Sequence, residues 1–305
     1  MDLSISIVNW NTKDFLKQCL KSIYENTSRV DFEIFVVDNG SRDGSKEMVK
    51  EEFPNLCLIE NKENLGFAKA NNQVIKKAKG KYFLLLNSDT KILNQALDKM
   101  VDFMDKHPQA GTCGCRLLFE DKTLQPSCKR FLNLYTAFFL DTFLGSIFPK
   151  VEQRHRMSSF RYNKVEEVEQ PMGSALMLRM ETIKDIGLMD ERFFLFFEEV
   201  DWCCRIKKKG WKIYFTPDAE IIHYQNRSFN RLGNTLTIRH WHRSKYEFLE
   251  KYYGVIPVIF LRIFVIFSSF LIMGKWMLFY ISARDKSLIV QRIKTYWNLI
   301  KVSWS

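Results

Sequence analysis

Leu84-Leu85-Leu86-Asn87-Ser88-Asp89-Thr90 decides the fold. Three consecutive leucines read as a strand buried on both faces, the mark of a parallel sheet covered by helices. The run then breaks into small polar residues and ends on a carboxylate. Open α/β sheets bind ligands at the carboxyl ends of their strands. A carboxylate placed there can hold a hard divalent cation against a diphosphate. Asn, Ser and Asp also favour helix N-caps, so Asp89 by itself is equally compatible with a capping role.

Working outward, strands and helices alternate. Ser4–Val8, Phe32–Val37, Leu56–Ile59 and Lys81–Leu86 read as strands. Between them, Asp14–Tyr24, Ser45–Phe53 and Ala68–Ala78 have helical spacing; Phe15, Leu16, Leu20 and Ile23 share one face of the first. This alternation predicts βαβ units and a mainly parallel, Rossmann-like α/β sheet flanked by helices. The strand ends then carry Asn9, Asp38, Asn61 and Asp89.

The chain has 305 residues and a formal net charge of +11, which suits nucleic acid, an anionic membrane surface or phosphorylated substrates. Its seven cysteines, with no CxxC pair, argue against a disulfide framework or a zinc site and for a reducing compartment. Leu3–Val8 opens the sequence without a charged-then-apolar leader, so no cleaved signal is expected. Residues 128–170 mix Phe131, Tyr135, Phe138 and Phe139 with Lys129, Arg130, Arg154 and Arg156. They read either as an interfacial amphipathic helix or as a core helix followed by a solvated loop. Val255–Ile281 is apolar apart from Arg262 and Lys275. Its uninterrupted run, Ile263–Gly274, is shorter than the ~20 residues that span a bilayer core. A shallow membrane-embedded helix is expected, with a tilted span or a buried hairpin as alternatives. The basic stretch Arg284–Lys301 suits an anionic leaflet. The run Arg205, Lys207, Lys208, Lys209 and Lys212 reads as a solvated helix face rather than a nucleic-acid contact.

Four segments carry chemistry. Val37-Asp38-Asn39-Gly40-Ser41 ends a buried strand on a carboxylate able to accept from a base N–H or a ribose hydroxyl. In Asn64-Leu65-Gly66-Phe67-Ala68-Lys69-Ala70-Asn71-Asn72, the glycine permits close approach of a ligand, and the asparagines can reach the same crevice. Glu198, Glu199 and Asp201 follow Phe193, Phe194, Phe196 and Phe197; an apolar wall and mutual repulsion raise carboxylate pKa values and make a general base. The acids also suit a helix N-terminus. A strand ending on His223 offers an imidazole to manganese or a similar ion, so Asp89 and His223 together make an open site.

In this order the segments resemble glycosyltransferase family 2, inverting enzymes of the GT-A fold, most closely the rhamnosyltransferase-like branch that builds bacterial surface polysaccharides. The resemblance covers residues 3–230 and rests on Trp10-Asn11, residues 37–45 and 64–72, Asn87-Ser88-Asp89, Gly173-Ser174-Ala175, residues 189–194 and Glu198-Glu199-Val200-Asp201. Only the last acid of the family's Asp-x-Asp motif is present, and Glu199 stands where the family has its catalytic aspartate. The resemblance implies a GT-A catalytic domain over 1–230, with a nucleotide-binding half (1–110) and an acceptor half (111–230) that contains the 128–170 insertion. A helical membrane-associating region (231–305) follows. It implies nucleotide contacts at Val8, Asn9, Asn11, Asp38, Asn64, Gly66, Asn71 and Ser88, and Mg²⁺ or Mn²⁺ on Asp89 and His223. Glu199 is the implied base, with Glu198 and Asp201 as alternates; Gly173, Ser174, Glu198, Asp201 and Trp202 are the implied sugar contacts. The implied reaction is inverting transfer from dTDP-rhamnose or a UDP-sugar to a lipid-linked or polysaccharide acceptor, at the cytoplasmic face of the membrane, by a chain that could dimerise. A sugar nucleotidyltransferase and an inactive nucleotide-sugar-binding scaffold are the rival readings. The first is weakened because the loop Asn9–Lys13 lacks glycine.

Overall fold

The computed structural model describes residues 1–224, 234–282 and 286–304. In chain order the elements are β1 (Leu3–Asn9), α1 (Lys13–Asn26), β2 (Phe32–Asn39), α2 (Ser45–Glu52), β3 (Cys57–Asn61), α3 (Phe67–Ile75), β4 (Tyr82–Asn87), β5 (Thr90–Ile92) and α4 (Ala96–Lys106). Then come β6 (Ala110–Leu118), β7 (Cys128–Lys129), α5 (Leu134–Asp141), α6 (Leu144–Ile147), α7 (Pro149–His155), β8 (Glu166–Glu167), β9 (Gln170–Pro171), β10 (Ala175–Arg179) and α8 (Met180–Ile186). The chain continues with α9 (Glu198–Lys208), β11 (Lys212–His223), α10 (Asn234–Tyr253), α11 (Val255–Ser282) and α12 (Ser287–Trp304). They form two compact units, Met1–Lys129 with Phe160–Gly233, and Arg130–Ser159 with Asn234–Ser305.

In the first unit the sheet order is β3-β2-β1-β4-β10-β6-β11-β5, with β8 also on β11. The four strands read from the sequence are parallel neighbours. β4 lies between β1 and β10, so Tyr82–Leu86 are buried on both faces, as the leucine run requires. β10 runs antiparallel between β4 and β6, and β5 pairs antiparallel with β11, so the sheet is mixed. β11 carries a bulge. Thr216 faces Cys115 and Glu220 faces Arg116, so Pro217, Asp218 and Ala219 are extra residues with no counterpart on β6. Helix α1 buries Leu16, Cys19, Leu20 and Ile23 against the sheet, the face expected from its spacing.

The second unit is helical. The aromatic stretch expected as an insertion of the acceptor half divides at its edges. Residues 130–159 group with α10–α12, whereas Cys128–Lys129 and 160–170 stay with the sheet. Inside this unit Lys245 is fully buried and ion-paired to Asp141. Val255–Tyr280 is the one described helix long and apolar enough to cross a membrane by length and composition. The expected boundary between residues 230 and 231 lies outside the described residues.

Gly66 marks where the fold positions the site. Its φ is +83°, and a Cβ there would stand 2.5 Å from the Phe194 carbonyl oxygen. The neighbouring Phe67 N–H donates to that oxygen at 2.8 Å. The close approach expected for a ligand is therefore made by the protein's own backbone. Gly66→Ala is expected to lower stability by at least ~1–3 kcal/mol through the left-handed φ alone. Thermal unfolding of the variant measures this, with turnover falling because residues 194–199 are displaced.

Candidate active site

β1, β2 and β4 end side by side, Asn9 in register with Asp38 and Val8 with Asn87. After β3 the chain returns on the other side of β1 as β4, which makes the β1/β4 junction the topological switch point. A hydrogen-bond network closes this edge. Asn9 Nδ2 donates to Asp38 Oδ2 and Ser41 Oγ, both at 3.2 Å, and Thr12 Oγ1 donates to Asn9 Oδ1 at 2.7 Å. Asp38 Oδ1 accepts the Ser41 N–H at 2.9 Å. Thr12 Oγ1 and Ser88 Oγ are 2.8 Å apart, linking β1 to the β4 terminus. Asn11, at φ 55°, accepts the Arg42 N–H on Oδ1 at 2.7 Å and gives its own N–H to Ser41 Oγ. Asn tolerates this conformation where most residues do not.

Asp89 and His223 meet because β5 pairs with the end of β11, Thr90 opposite His223. His223 Nε2 is 3.4 Å from Asp89 Oδ1, and both residues are 4% exposed. His223 Nδ1 is 2.8 Å from Gln125 Oε1, while Gln125 Nε2 donates to the His223 carbonyl at 3.4 Å. That second contact sets the amide so that Oε1 accepts from Nδ1. Nε2 is then left with a lone pair directed toward Asp89, the tautomer that a ligating imidazole adopts. Asn87 Nδ2 lies 3.4 Å from the same Nε2. Among the described residues no cluster of three or more His, Cys, Asp or Glu donors forms. One carboxylate and one imidazole are a donor set that would fit a divalent cation.

The third part of the edge comes from β10. Because β10 is antiparallel, its first residues lie at the carboxyl end of β4: Ala175 pairs with Leu86, and the Asn87 N–H donates to the Ser174 carbonyl at 2.9 Å. Gly173, one residue earlier, lies against Glu199; a Cβ on it would be 3.2 Å from Glu199 Cβ and Cγ. Glu198 and Glu199 open α9, after Phe196 (φ 69°) and Phe197 (φ 68°). Two successive non-glycine residues in the left-handed region store strain immediately before the acids. Burial pushes the Glu199 carboxyl above the usual glutamate range, opposed by backbone N–H groups, among them those of Val200 and Gly173, and by the Lys129 cation. Glu198 is raised further, by burial and then by the Glu199 charge. Glu198 is 5% exposed, and its Oε2 has no hydrogen-bond partner among the described residues. The Ser174 hydroxyl is likewise buried and unpartnered. Of the two acids, Glu199 ionises first because it alone has the cation and the Gly173 N–H.

The model of the family described as "Glycosyl transferase family 2" matches residues 4–170. The chain belongs to glycosyl transferase family 2. The N-acetylglucosaminyl-diphospho-decaprenol L-rhamnosyltransferase of Mycobacterium tuberculosis is 26% identical over 262 residues, 81% of this chain and 83% of that protein. Rhamnosyltransferase WbbL of Escherichia coli is 24% identical over 235 residues, 74% of this chain and 85% of that protein. Among solved structures, the mannosyltransferase PcManGT of Pyrobaculum calidifontis, in complex with GDP-Man and Mn²⁺, has a TM-score of 0.59 at 15% identity and covers 99% of this chain and 86% of that one. GalNAc-T7 with UDP, GalNAc and Mn²⁺ has a TM-score of 0.55 at 16% identity and covers 73% of this chain and 43% of that one. At these identities the structures speak for the shared GT-A fold alone.

The expected site residues of this glycosyltransferase separate into two groups. Asn9, Asn11, Asp38, Ser88, Asp89, Gly173, Ser174, Glu198, Glu199 and His223 gather at one edge of the sheet. The others have structural duties. Asn71 is fully buried, accepting from Ser6 Oγ at 2.6 Å and donating to the Phe67 carbonyl at 2.9 Å. Asn72 clamps the Met189 backbone, accepting its N–H at 3.0 Å and donating to its carbonyl at 2.9 Å. Asn64 Oδ1 takes the Gly66 N–H at 3.0 Å and Asn39 Nδ2 at 3.2 Å. Asp201, expected near the sugar, is ion-paired with Arg205 at 2.8 Å, and Arg205 in turn donates to the carbonyls of Ile186 and Leu188. Trp202 is fully buried with its indole N–H on the Gly187 carbonyl at 3.0 Å. These contacts fix the segment that delivers Glu198 and Glu199. Thr12, Gln125 and Lys129 were not expected. No motif marks them, because each acts through a neighbour distant in sequence.

A carboxylate that takes up a proton in turnover must first be ionised, so in that role Glu199 would lose activity as pH falls through its raised pKa. The acid limb of kcat/KM is therefore expected above the ordinary glutamate range. Lys129→Met removes the cation and moves that limb to higher pH. Glu198→Gln, which copies a neutral Glu198, leaves the limb in place; a pH–rate series on the three proteins checks all of this.

Proposed function

We propose that this glycosyltransferase moves a sugar, with inversion, from a nucleoside diphosphate donor to a hydroxyl of a lipid-linked glycan during surface polysaccharide synthesis. The observation that carries the reading is the junction of β4 with β10. Through the Asn87–Ser174 hydrogen bond and the Gly173–Glu199 contact, it joins the Asp89–His223 pair to a half-buried carboxylate of raised pKa. The rhamnosyltransferase relatives support an activated rhamnose as donor, here read as dTDP-rhamnose with a UDP-sugar as the alternative, and the decaprenol-linked substrate in one relative's name supports a lipid-linked acceptor.

In this reading the lone pairs of Asp38 not taken by Ser41 and Asn9 accept from the nucleoside, while Asn9, Asn11 and Ser41 hold the turn in shape. Asp89 and His223 would hold Mg²⁺ or Mn²⁺, which when bound would offset the charge on the departing diphosphate. Ser174 Oγ and neutral Glu198 offer unpaired hydrogen-bonding atoms to sugar hydroxyls. Ionised Glu199 takes the proton from the acceptor hydroxyl as its oxygen attacks the anomeric carbon from the face opposite the leaving group. The strained Phe196-Phe197 pair keeps the carboxylate at a fixed height above Gly173.

Glu199→Gln is expected to lower turnover by ~10²–10⁴ with donor affinity unchanged within a few-fold. Unchanged turnover removes Glu199 from the role, and loss of turnover in Glu198→Gln alone transfers it to Glu198. Thermal unfolding with a panel of nucleotide-sugars, with and without Mn²⁺, identifies the donor. A ligand at 100 times its Kd stabilises by ~2.7 kcal/mol. Release of pyrophosphate instead of a nucleoside diphosphate would overturn glycosyl transfer in favour of nucleotidyl transfer.

A further inference from the structure

Helix α11 has two unlike sides. One is packed inside the helical unit: Val258, Leu261, Val265, Ser268, Ser269 and Met273 are buried at three- and four-residue spacing. That side is pinned by polar contacts. Ser268 Oγ accepts the Phe143 N–H at 2.8 Å, and Arg262 donates to Glu250 at 2.9 Å while stacking 4.5 Å over the Tyr246 ring. Beside Tyr246 lies the buried Lys245–Asp141 pair, the ammonium 4.4 Å over the same ring. The other side is bare hydrocarbon. Ile256, Phe260, Ile263, Phe267, Phe270 and Leu278 form a stripe, with Ile256, Phe260 and Leu278 about 70% exposed. A continuous apolar surface of this size marks a partner or a membrane.

Length permits α11 to cross a bilayer, but its companions argue against it. α12 packs along α11 and carries exposed Lys294 and Lys301, the latter over the Trp297 ring, with Lys286 just before it. A crossing would draw those lysines and the Arg262–Glu250 and Lys245–Asp141 pairs toward hydrocarbon, where each charge is costly to desolvate. Lying flat places the stripe ~5–10 Å into the acyl boundary and leaves the charged side at headgroup level. The exposed lysines on and just before α12, the helix packed along α11, are complementary to anionic headgroups.

We infer that α11 lies in the plane of one leaflet of an anionic phospholipid membrane. Its Phe260–Phe267–Phe270 side is immersed and its Arg262–Glu250 side is packed inside the helical unit. The α12 lysines contact headgroup phosphates. This rests on the reading that the chain works at a membrane; it does not depend on the chemistry at Glu199.

Two measurements on the full chain test the inference. The first compares co-sedimentation with phosphatidylcholine vesicles and with vesicles containing phosphatidylglycerol. Binding is expected to be at least tenfold stronger to the anionic vesicles and to fall at least tenfold in Phe260→Glu/Phe267→Glu. The second labels Val255→Cys and Lys286→Cys, each in a Cys57→Ser background, with an impermeant maleimide in sealed membranes of known sidedness. The six other cysteines are buried. Both positions are expected to react from the same side. Reaction from opposite sides means a crossing and overturns the inference. So do equal binding to both vesicles, no binding, or a dimer that Phe260→Glu/Phe267→Glu converts to monomer. Thermal stabilisation by nucleotide-sugar, measured on the same variants, reports separately on the catalytic reading.

Discussion

The site depends on the direction of one strand. β10 runs antiparallel between β4 and β6, so its beginning rather than its end lies at the carboxyl edge of the sheet. A parallel strand in that slot would send Gly173 and Ser174 to the opposite edge, some 17–20 Å away for a strand of ordinary length. With β10 reversed, the Ser174 carbonyl receives the Asn87 N–H, and Gly173 provides the bare backbone against which Glu199 rests. The end of β4, which leads to Ser88 and Asp89, and the start of α9, which carries Glu199, are thus brought together by main chain at Gly173-Ser174.

The electrostatics follow from that placement. Two adjacent glutamates stand at the start of α9, Glu198 buried and Glu199 half-buried, which disfavours charging both. The asymmetry that lets one ionise is supplied by Lys129, on the short strand β7, and by the N–H groups of Gly173 and Val200. A neutral acid beside an ionised one gives the site a hydrogen-bond donor and a proton acceptor within one helical turn. The cost in backbone strain is concentrated at Phe196 and Phe197, where the surrounding contacts of Asn72, Gly66 and Arg205 hold the approach to the helix.

Sequence periodicity revealed the four parallel strands and their helices because each strand is buried on both faces or its helix shows a clear apolar stripe. It revealed the strand-end residues because position at a carboxyl edge is a local property. It did not reveal which asparagines face a ligand. Asn71 and Asn72 stand on the helix next to a glycine turn in either case, and only the tertiary partners Ser6 and Met189 decide the matter. Gln125 was invisible for the same reason, its role being defined by a histidine 98 residues away. The aromatic segment 130–159 reads as an insertion in the linear order, yet its packing partners lie in the last quarter of the chain.

The three unmatched residues of β11 have a consequence for how this protein can vary. Side chains alternate from face to face along a strand, so the phase of His223 relative to Tyr214 and Phe215 is set by the number of residues between them. Changing the Pro217–Ala219 bulge by one residue would invert that phase and turn the imidazole away from Asp89, whereas a change of two would restore it. The Asp89–His223 pairing thus imposes an even-number rule on insertions and deletions in a segment that runs from exposed Asp218 to core-packed Ala219.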